Sequence, residues 1–316
     1  MRNIFTTGQY IPRERPYRIL LMHTLMADSE TASACAAGLE KLICAAVPDL
    51  VLLNGDITTG QKDAGALTEC LKTLLAPVTE RKLPWAVIFG DRDRIQALSG
   101  EEQLAVYRQI PGCLTVSGEK SISGCGNCII PLYNEQNEPV FFIWCLDSHD
   151  HVEEYQKEFG SASRARLASP LYTEYYNDGI RFNQTMWYWH TSQALETEYG
   201  RKIPGVMCFH IPTPEHVLIP MNQGRTAMRG EQAEAVSCQT VNGGIFSAVF
   251  ERRDVQAIFC GNSRYNCFSG FYGGIELAQT RSYHWTGGAV CLEISPEAEK
   301  KIVWYPAAQE KTETGE

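Results

Sequence analysis

A chain of 316 residues, 44% of them hydrophobic and 21% charged, has an ordinary globular composition with apolar material for one large domain or two smaller ones. The formal net charge of −9 argues against non-specific binding to nucleic acid, whose phosphates attract basic surfaces. No apolar run approaches the length of a membrane span, and Met1–Gly8 lacks the hydrophobic segment of a signal peptide. We therefore expect a cytoplasmic protein that binds neither membranes nor nucleic acid.

The cysteine pattern favours reduced thiols in the core. The 12 cysteines are scattered, and several lie within apolar, strand-like runs. Buried free thiols are typical of cytoplasmic proteins. The single Cys-x-x-Cys pair, Cys125 and Cys128, has no second pair to complete a zinc site and leads directly into an apolar run, so we expect it to be structural.

The first third of the chain alternates between strands and helices. The unbroken apolar run Leu50–Leu53 predicts a parallel strand that is buried on both faces, followed by a turn at Gly55-Asp56. Alternation of this kind predicts a right-handed βαβαβ unit and a parallel sheet. The predicted elements are a surface arm (1–16), a strand (17–22), a helix (29–47) with Ser29 as a possible cap, the Asp56 strand, a helix (62–81) and a strand (84–90).

The remainder predicts one domain over residues 17–308 that is interrupted by a polar stretch. Residues 149–180 lack clear periodicity and are interpreted as a loop insertion at the mouth of a site. The polar residues 309–316 are expected to form a flexible tail. The other predicted elements are a helix (101–110), two or three strands (114–146), a helix (183–199), a strand (205–212), a helix (242–253), a strand (255–261) and short strands (271–280 and 289–294).

Four of the apolar strands end on polar residues, where ligands usually lie in α/β sheets. In chain order these ends are Gly55-Asp56, Gly90-Asp91-Arg92-Asp93, His210-Ile211-Pro212 and Gly261-Asn262-Ser263-Arg264. In this order they resemble the calcineurin-like metallophosphoesterases. The segments Phe209–Glu215, Leu146–Ser148 and Asp254–Gly261 resemble the purple-acid-phosphatase-like branch of that family, and the resemblance spans roughly residues 17–295.

The resemblance implies a fold and a reaction. The family fold is an α/β four-layer α/β/β/α sandwich, in which two mixed β-sheets are flanked by helices. Two metal ions at the carboxyl ends of the central strands acidify a bridging water that attacks phosphorus in phosphoesters. Carboxylate, imidazole and amide oxygen ligands suit such cations.

The metal motifs of the family are eroded in this chain. Thr24 and Met26 stand at the two ligand positions of the first motif, Asp-x-His. Arg92 stands at the position of the catalytic His, and Arg264 stands at a ligand His position of the last motif. The matching ligands that remain are Asp56 and His210, with Asp91 as a plausible substitute and Asn262 as a weak one.

We therefore expect at most one divalent metal, Mn, Fe or Zn, bound by Asp56, Asp91, His210 and Asn262. We do not expect a dinuclear centre. His23 precedes the first motif by one residue, so alternation along the strand should direct it away from the site.

The two arginines suggest a hypothesis about the site. Arg92 and Arg264 either replace the lost metals electrostatically by pairing with Asp56 and Asp91, or extend into solvent. In either case they are candidates for binding phosphate or another anion. His284 is a candidate for lining the same pocket.

Two functions remain open at this stage, besides a weaker third. The first is a catalytically impaired or inactive phosphoesterase homologue, a pseudoenzyme with a binding or regulatory role. The alternative is an active metal-dependent phosphoester hydrolase, a phosphatase or phosphodiesterase with an atypical mononuclear site. The third is an interaction protein that uses the insertion at residues 149–180.

Overall fold

The structure, a computed structural model, describes residues 4–150, 177–221 and 227–305. Most of the predicted insertion at 149–180 and the predicted tail at 309–316 lie outside the described residues. The strands are β1 (Gln9–Tyr10), β2 (Tyr17–Met22), β3 (Leu50–Asn54), β4 (Trp85–Ile88), β5 (Cys128–Tyr133), β6 (Pro139–Cys145), β7 (Gly205–Cys208), β8 (Arg229–Glu231), β9 (Val255–Cys260), β10 (Cys267–Tyr272), β11 (Ile275–Gln279), β12 (Ala289–Ile294) and β13 (Lys300–Tyr305). The helices are α1 (Ala32–Ala46), α2 (Ala64–Leu74), α3 (Ala76–Glu80), α4 (Gly100–Tyr107), α5 (Phe182–Tyr199), α6 (Glu215–Met221), α7 (Ile245–Arg252) and α8 (Tyr283–Thr286).

The described strands form two mixed sheets. One has five strands in the order β13-β12-β2-β3-β4, and the other has eight in the order β1-β5-β6-β7-β9-β11-β10-β8. In the smaller sheet β2, β3 and β4 run parallel, which confirms the predicted parallel unit. In the larger sheet the central strands β6, β7, β9 and β11 are parallel. The carboxyl ends of both parallel sets therefore lie at defined sheet edges, where their loops can meet.

Alternating side chains on β2 show how the layers form. Ile19 and Leu21 pack in the cluster between the two sheets, whereas Leu20 and Met22 pack on the opposite face with α1, α2 and α4. The outer face of the larger sheet is covered by α5, α6 and α7. The layers therefore follow the order helices, sheet, sheet, helices. This order confirms the fold class expected from the resemblance.

Several local details differ from the expectations. Pro77 lies at the start of α3, so the single helix expected over 62–81 is two helices, because proline has no N–H for a continuous helix. Helix α1 begins after Thr31 rather than Ser29, since Asp28 Oδ1 accepts the backbone N–H groups of residues 30 and 31. The segment expected as a surface arm forms strand β1, which pairs with β5. Strands β8 and β13 were not anticipated.

The cysteines are all free thiols, and ten of the 12 are buried. Cys125 uses its backbone N–H to bond Asp147 Oδ2 at 2.7 Å, and Cys128 lies opposite Cys145 in the β5–β6 ladder. Neither belongs to a cluster of metal-binding side chains in the part of the chain that the structure describes. In that part, no helix is long and apolar enough to cross a membrane.

Candidate metal centre and its cleft

The loops that follow the central strands of both sheets enclose a cleft of about 330 Å³. It collects the residues that the sequence singled out as site positions except His210, which lies buried behind it, and His284, which does not line it. The cleft is lined by Thr24, Met26, Asp56, Asp91, Arg92, Glu234, Ala235, Ser237, Asn262, Ser263, Arg264 and Trp285.

Three side chains at the back of the cleft form a cluster of metal-type ligands. His210 Nε2 lies 3.3 Å from Asp56 Oδ2 and 3.4 Å from Asp91 Oδ1. One ligand atom from each of the three residues lies within 4.8 Å of the others, and among the described residues this is the only such group of His, Cys, Asp and Glu side chains. His210 Nδ1 donates to Asn54 O at 2.7 Å, which makes Nε2 the ligating nitrogen. This set fits one divalent cation.

Without a cation, a proton on His210 takes its place. Burial alone lowers the pKa of His210, but the carboxylates of Asp56 and Asp91 outweigh burial and raise that pKa well above its usual value. The imidazolium then neutralises part of the carboxylate charge. A bound cation would release this proton, because the same Nε2 cannot hold both.

The backbone around Asp56 leaves no space for extra side-chain atoms. Gly55 has φ +95°, and Asp56 itself has φ 58°, a left-handed conformation that non-glycine residues rarely adopt. A Cβ on Gly90 would lie 2.3 Å from Asp56 Oδ1. The same Oδ1 accepts the backbone N–H of Arg92 at 2.9 Å. The position of the Asp56 carboxylate is therefore set by close packing and by a backbone donor.

Asp93, which had no predicted role, holds this turn together. It is fully buried, and its carboxylate accepts the backbone N–H groups of four residues at 2.8–3.2 Å: Asp56, Ile57, Thr58 and Gly90. Burial and the nearby charge of Asp56 raise the pKa of Asp93 to about 7, while those N–H groups favour the ionised form. Asp93 thus links the loops after β3 and β4.

His210 is positioned by contacts from both sheets. Ser148 Oγ accepts the backbone N–H groups of His210 and Ile211 at 3.2 and 2.8 Å. The carboxamide of Asn54, which ends β3 in the smaller sheet, donates to Phe209 O and Phe259 O of the larger sheet. The metal-type cluster therefore spans the junction of the two sheets.

The positions to which the resemblance assigns the remaining metal ligands carry poor ligands in this chain. Thr24, Met26 and Asn262 all have left-handed φ angles, at 54°, 50° and 52°. Neither a threonine hydroxyl nor a thioether is a good ligand for a hard cation. Asn262 donates Nδ2 to Ser237 O at 3.0 Å, so only its Oδ1 could coordinate. These residues do not fit a second metal ion.

His23 does not belong to the three-residue cluster. Its Nδ1 lies 2.8 Å from Thr24 Oγ1 and its Nε2 lies 2.8 Å from Thr280 O. Burial, reinforced by the neighbouring His210, lowers the pKa of His23 to about 3, so the ring is neutral. A neutral ring donates from Nε2 to the carbonyl and accepts from the threonine, which occupies both nitrogens.

The arginines do not substitute for the metals in the way the hypothesis required. Arg92 Nε is 3.8 Å from Asp91 Oδ2, and 47% of its side chain is exposed, so this pair contributes little. Arg264 forms no ion pair with Asp56 or Asp91 among the described residues, and its guanidinium instead lies over the Trp285 ring at 5.0 Å. The cation that pairs closely with both carboxylates is His210.

Two cleft residues could not be found from local patterns. Glu234 Oε1 accepts Ser263 Oγ at 2.6 Å and two backbone N–H groups, from Arg264 and Tyr265, which fixes the loop after β9. Trp285 lines the cleft in the loop where His284 was the candidate, and His284 packs against it with ring centroids 4.8 Å apart. A lone Glu far from any motif carries no sequence signal, whereas the family resemblance did point to the loop that contains His284 and Trp285.

Fold and site together are those of a metallophosphoesterase-fold protein that keeps one three-residue group of metal-type ligands. A dimetal phosphatase from Danio rerio superposes with a TM-score of 0.59 at 11% identity, covering 92% of this chain and 100% of that one. GAP50, the anchor in the inner membrane complex of Plasmodium, superposes with a TM-score of 0.57 at 10% identity, covering 94% and 86%. At such identities these likenesses show the fold alone.

Among the sequence relatives are purple-acid-phosphatase-like proteins whose names call them probably inactive, and "Phosphatase DCR2" of Saccharomyces cerevisiae, which is 25% identical over 69% of this chain and 36% of its own length. "Probable inactive purple acid phosphatase 14" of Arabidopsis thaliana is 27% identical over 79% of this chain and 62% of its own length. "Probable inactive purple acid phosphatase 29" of the same plant is 28% identical over 76% and 60%. The chain thus spans about three fifths of these two plant relatives. No family model matches it. The recognition made from the strand-end motifs is confirmed.

Proposed function

We propose that this protein is a phosphoesterase homologue that no longer hydrolyses phosphoesters and instead binds a phosphate-bearing or other anionic ligand in its cleft, in a regulatory role. The observation that carries the proposal is that the cleft has ligands for one metal ion and lacks ligands for a second. Asp56, Asp91 and His210 fit a single cation, whereas Thr24 and Met26 cannot hold a second. A single ion cannot stabilise both the attacking and the leaving oxygen in the way that a two-metal site does.

Two guanidinium groups of the cleft supply donors for an anion. The carboxylates of Asp56 and Asp91 face His210, which offsets one of their two charges as an imidazolium or holds a divalent cation that offsets both. The carboxylate of Glu234 is engaged by three donors of one loop. Arg92 and Arg264 also line the cleft. Guanidinium groups bind phosphate oxygens well.

Calorimetric titration with inorganic phosphate tests the anion site. Arg92→Ala and Arg264→Ala should each weaken phosphate binding several-fold, because each removes one charge-assisted donor. Arg13→Ala, which changes an exposed arginine outside the cleft, is the matched control. Absence of phosphate binding to the wild-type protein would overturn the proposal.

Elemental analysis tests the metal part. After dialysis against manganese, iron or zinc, the protein should hold at most about one equivalent of one of these metals. His210→Asn should remove it, whereas the exposed His190→Asn should not. Two equivalents, both lost with His210→Asn, would show that a dinuclear centre survives.

An active mononuclear hydrolase is the second candidate, because Asp56 and Asp91, two of the three donors, line a cleft through which a substrate could reach the ion. Metal-loaded protein incubated with p-nitrophenyl phosphate separates the two functions. Turnover that is abolished by Asp56→Asn would favour the hydrolase and contradict the binding role.

A further inference from the structure

The rim of the cleft carries an aromatic group that the anion site does not require. Trp285 lines the cleft and is 41% exposed, and Tyr265 beside it is 48% exposed. Their ring centroids are 6.1 Å apart at an interplanar angle of 61°, and His284 meets Trp285 at 80°. Large aromatic side chains exposed together at the edge of a cleft mark a binding surface more often than isolated ones do.

Neighbouring groups hold this aromatic rim in place. Arg264 lies over the Trp285 ring, and its backbone N–H is bonded to Glu234 Oε1 at 2.6 Å. Helix α8 carries Trp285, and the backbone N–H of His284 donates to Thr24 O at 2.9 Å, which ties the helix to the loop after β2. The rings are therefore ordered before a ligand arrives, so stacking on them costs little conformational entropy.

The rim adjoins the guanidinium that is the candidate anion donor. Arg264 belongs to both groups, since it lines the cleft and stacks on Trp285. A ligand phosphate bound by Arg264 would leave its alcohol part beside the exposed indole. Planar rings gain more from such a surface than saturated rings of equal size, because stacking adds to burial.

We propose that the cleft selects phosphate monoesters whose alcohol part is a planar aromatic or heteroaromatic ring, with Trp285 as the stacking residue. This inference rests on the proposed function, since it assigns a ligand class to the same anion site. Aryl phosphates and nucleotides both carry a phosphate and a planar ring. The ligands tested below distinguish between them.

The experiment compares dissociation constants measured by calorimetry for four ligands: inorganic phosphate, cyclohexyl phosphate, phenyl phosphate and adenosine monophosphate. Phenyl phosphate should bind about 3- to 10-fold more tightly than cyclohexyl phosphate, which has nearly the same size but no π system. Tighter binding of adenosine monophosphate than of phenyl phosphate would assign a nucleobase to the rim, and the reverse order would assign a simple aryl group.

Two variants test whether Trp285 causes the preference for phenyl phosphate. Trp285→Leu should abolish the preference for phenyl over cyclohexyl phosphate, even if it weakens both through Arg264. Phe250→Leu, which changes a 38% exposed aromatic residue that does not line the cleft, should retain the preference. Equal binding of phenyl and cyclohexyl phosphate, or an unchanged preference in Trp285→Leu, would overturn the inference while phosphate binding still supports the proposed function. Failure of every ligand, inorganic phosphate included, would overturn both.

Discussion

His210 donates its Nδ1 proton to the backbone carbonyl of Asn54 at 2.7 Å, across the junction between the two sheets. The Asn54 side chain returns hydrogen bonds to Phe209 O and Phe259 O at 3.2 and 3.4 Å. One residue at the end of β3 thus orients the imidazole and joins the sheets that supply the carboxylates and the histidine. Outer contacts of this kind commonly tune the affinity of a metal ligand.

Asn54→Leu should therefore affect both stability and metal binding. It leaves the carbonyls of Phe209 and Phe259 without the carboxamide donor, and the expected loss in the free energy of unfolding is about 1–3 kcal/mol. The backbone carbonyl that accepts from His210 is kept, so manganese affinity should fall only several-fold, through a shift of the Phe209-His210 segment that the carboxamide held. Urea unfolding and metal titration measure the two effects. Asn183→Leu, at an exposed hydrogen bond, is the control, and equal behaviour of the two variants would contradict the bridging role.

Asp93→Asn tests the turn that carries Asp56. At pH 8, above the pKa of about 7, the ionised carboxylate accepts four backbone N–H groups, and an amide would direct its own NH₂ group at some of them. We expect a loss of about 2–4 kcal/mol in the free energy of unfolding. Glu135→Gln, an exposed change of the same chemistry, should have almost no effect. A stable Asp93→Asn variant would show that the turn does not depend on this carboxylate.

Gly90→Ala tests the packing behind Asp56. The new Cβ would lie 2.3 Å from Asp56 Oδ1 and 3.0 Å from His210 Cδ2, so the carboxylate and the imidazole must separate. The variant should lose bound metal as measured by elemental analysis, and it should unfold at lower temperature. Gly65→Ala, exposed in the first turn of α2, is the matched substitution and should leave metal content unchanged. Full metal content in Gly90→Ala would indicate that the loop adapts.

The burial of His216 predicts how the free energy of unfolding changes with pH. Burial lowers its pKa to about 4, from an unfolded value of 6.5, so below pH 6.5 the unfolded chain binds a proton that the folded chain does not. Stability is therefore lost as pH falls from 6.5 towards 4. From about pH 7.5 to about pH 5 this group should contribute a loss of about 2 kcal/mol.

Urea unfolding of His216→Asn at both pH values isolates that contribution. The variant should show a smaller loss on acidification than the wild type, because the amide oxygen can accept from Thr213 and does not titrate in this range. His190→Asn, at an exposed position of α5, should keep the wild-type loss. An identical pH dependence of wild type and His216→Asn would exclude this histidine as a source of acid sensitivity.

Much of the fold was determined by the sequence itself. The apolar runs of β2 and β3, the latter bounded by Pro48 and Gly55, predicted buried strands of a parallel sheet, because hydrophobic patterning is local and survives in any tertiary context. The polar residues at strand ends also predicted which side chains would meet, since parallel strands deliver their carboxyl ends to one edge. The family resemblance carried by these strand ends singled out Asp56, Asp91 and His210, and the structure brings the three together.

Only the tertiary structure decided how these residues pair. One of the two alternatives for Arg264 was that it neutralises carboxylates, but its guanidinium lies over Trp285, because the choice among competing partners depends on distances that no local pattern encodes. Glu234 meets the loop of Arg264 from 30 residues away, and Asp93 bonds a turn that belongs to another strand. Such contacts arise between segments that fold separately and meet only in the packed protein. The sequence therefore specified where the site lies, and packing specified its charge balance and its aromatic rim.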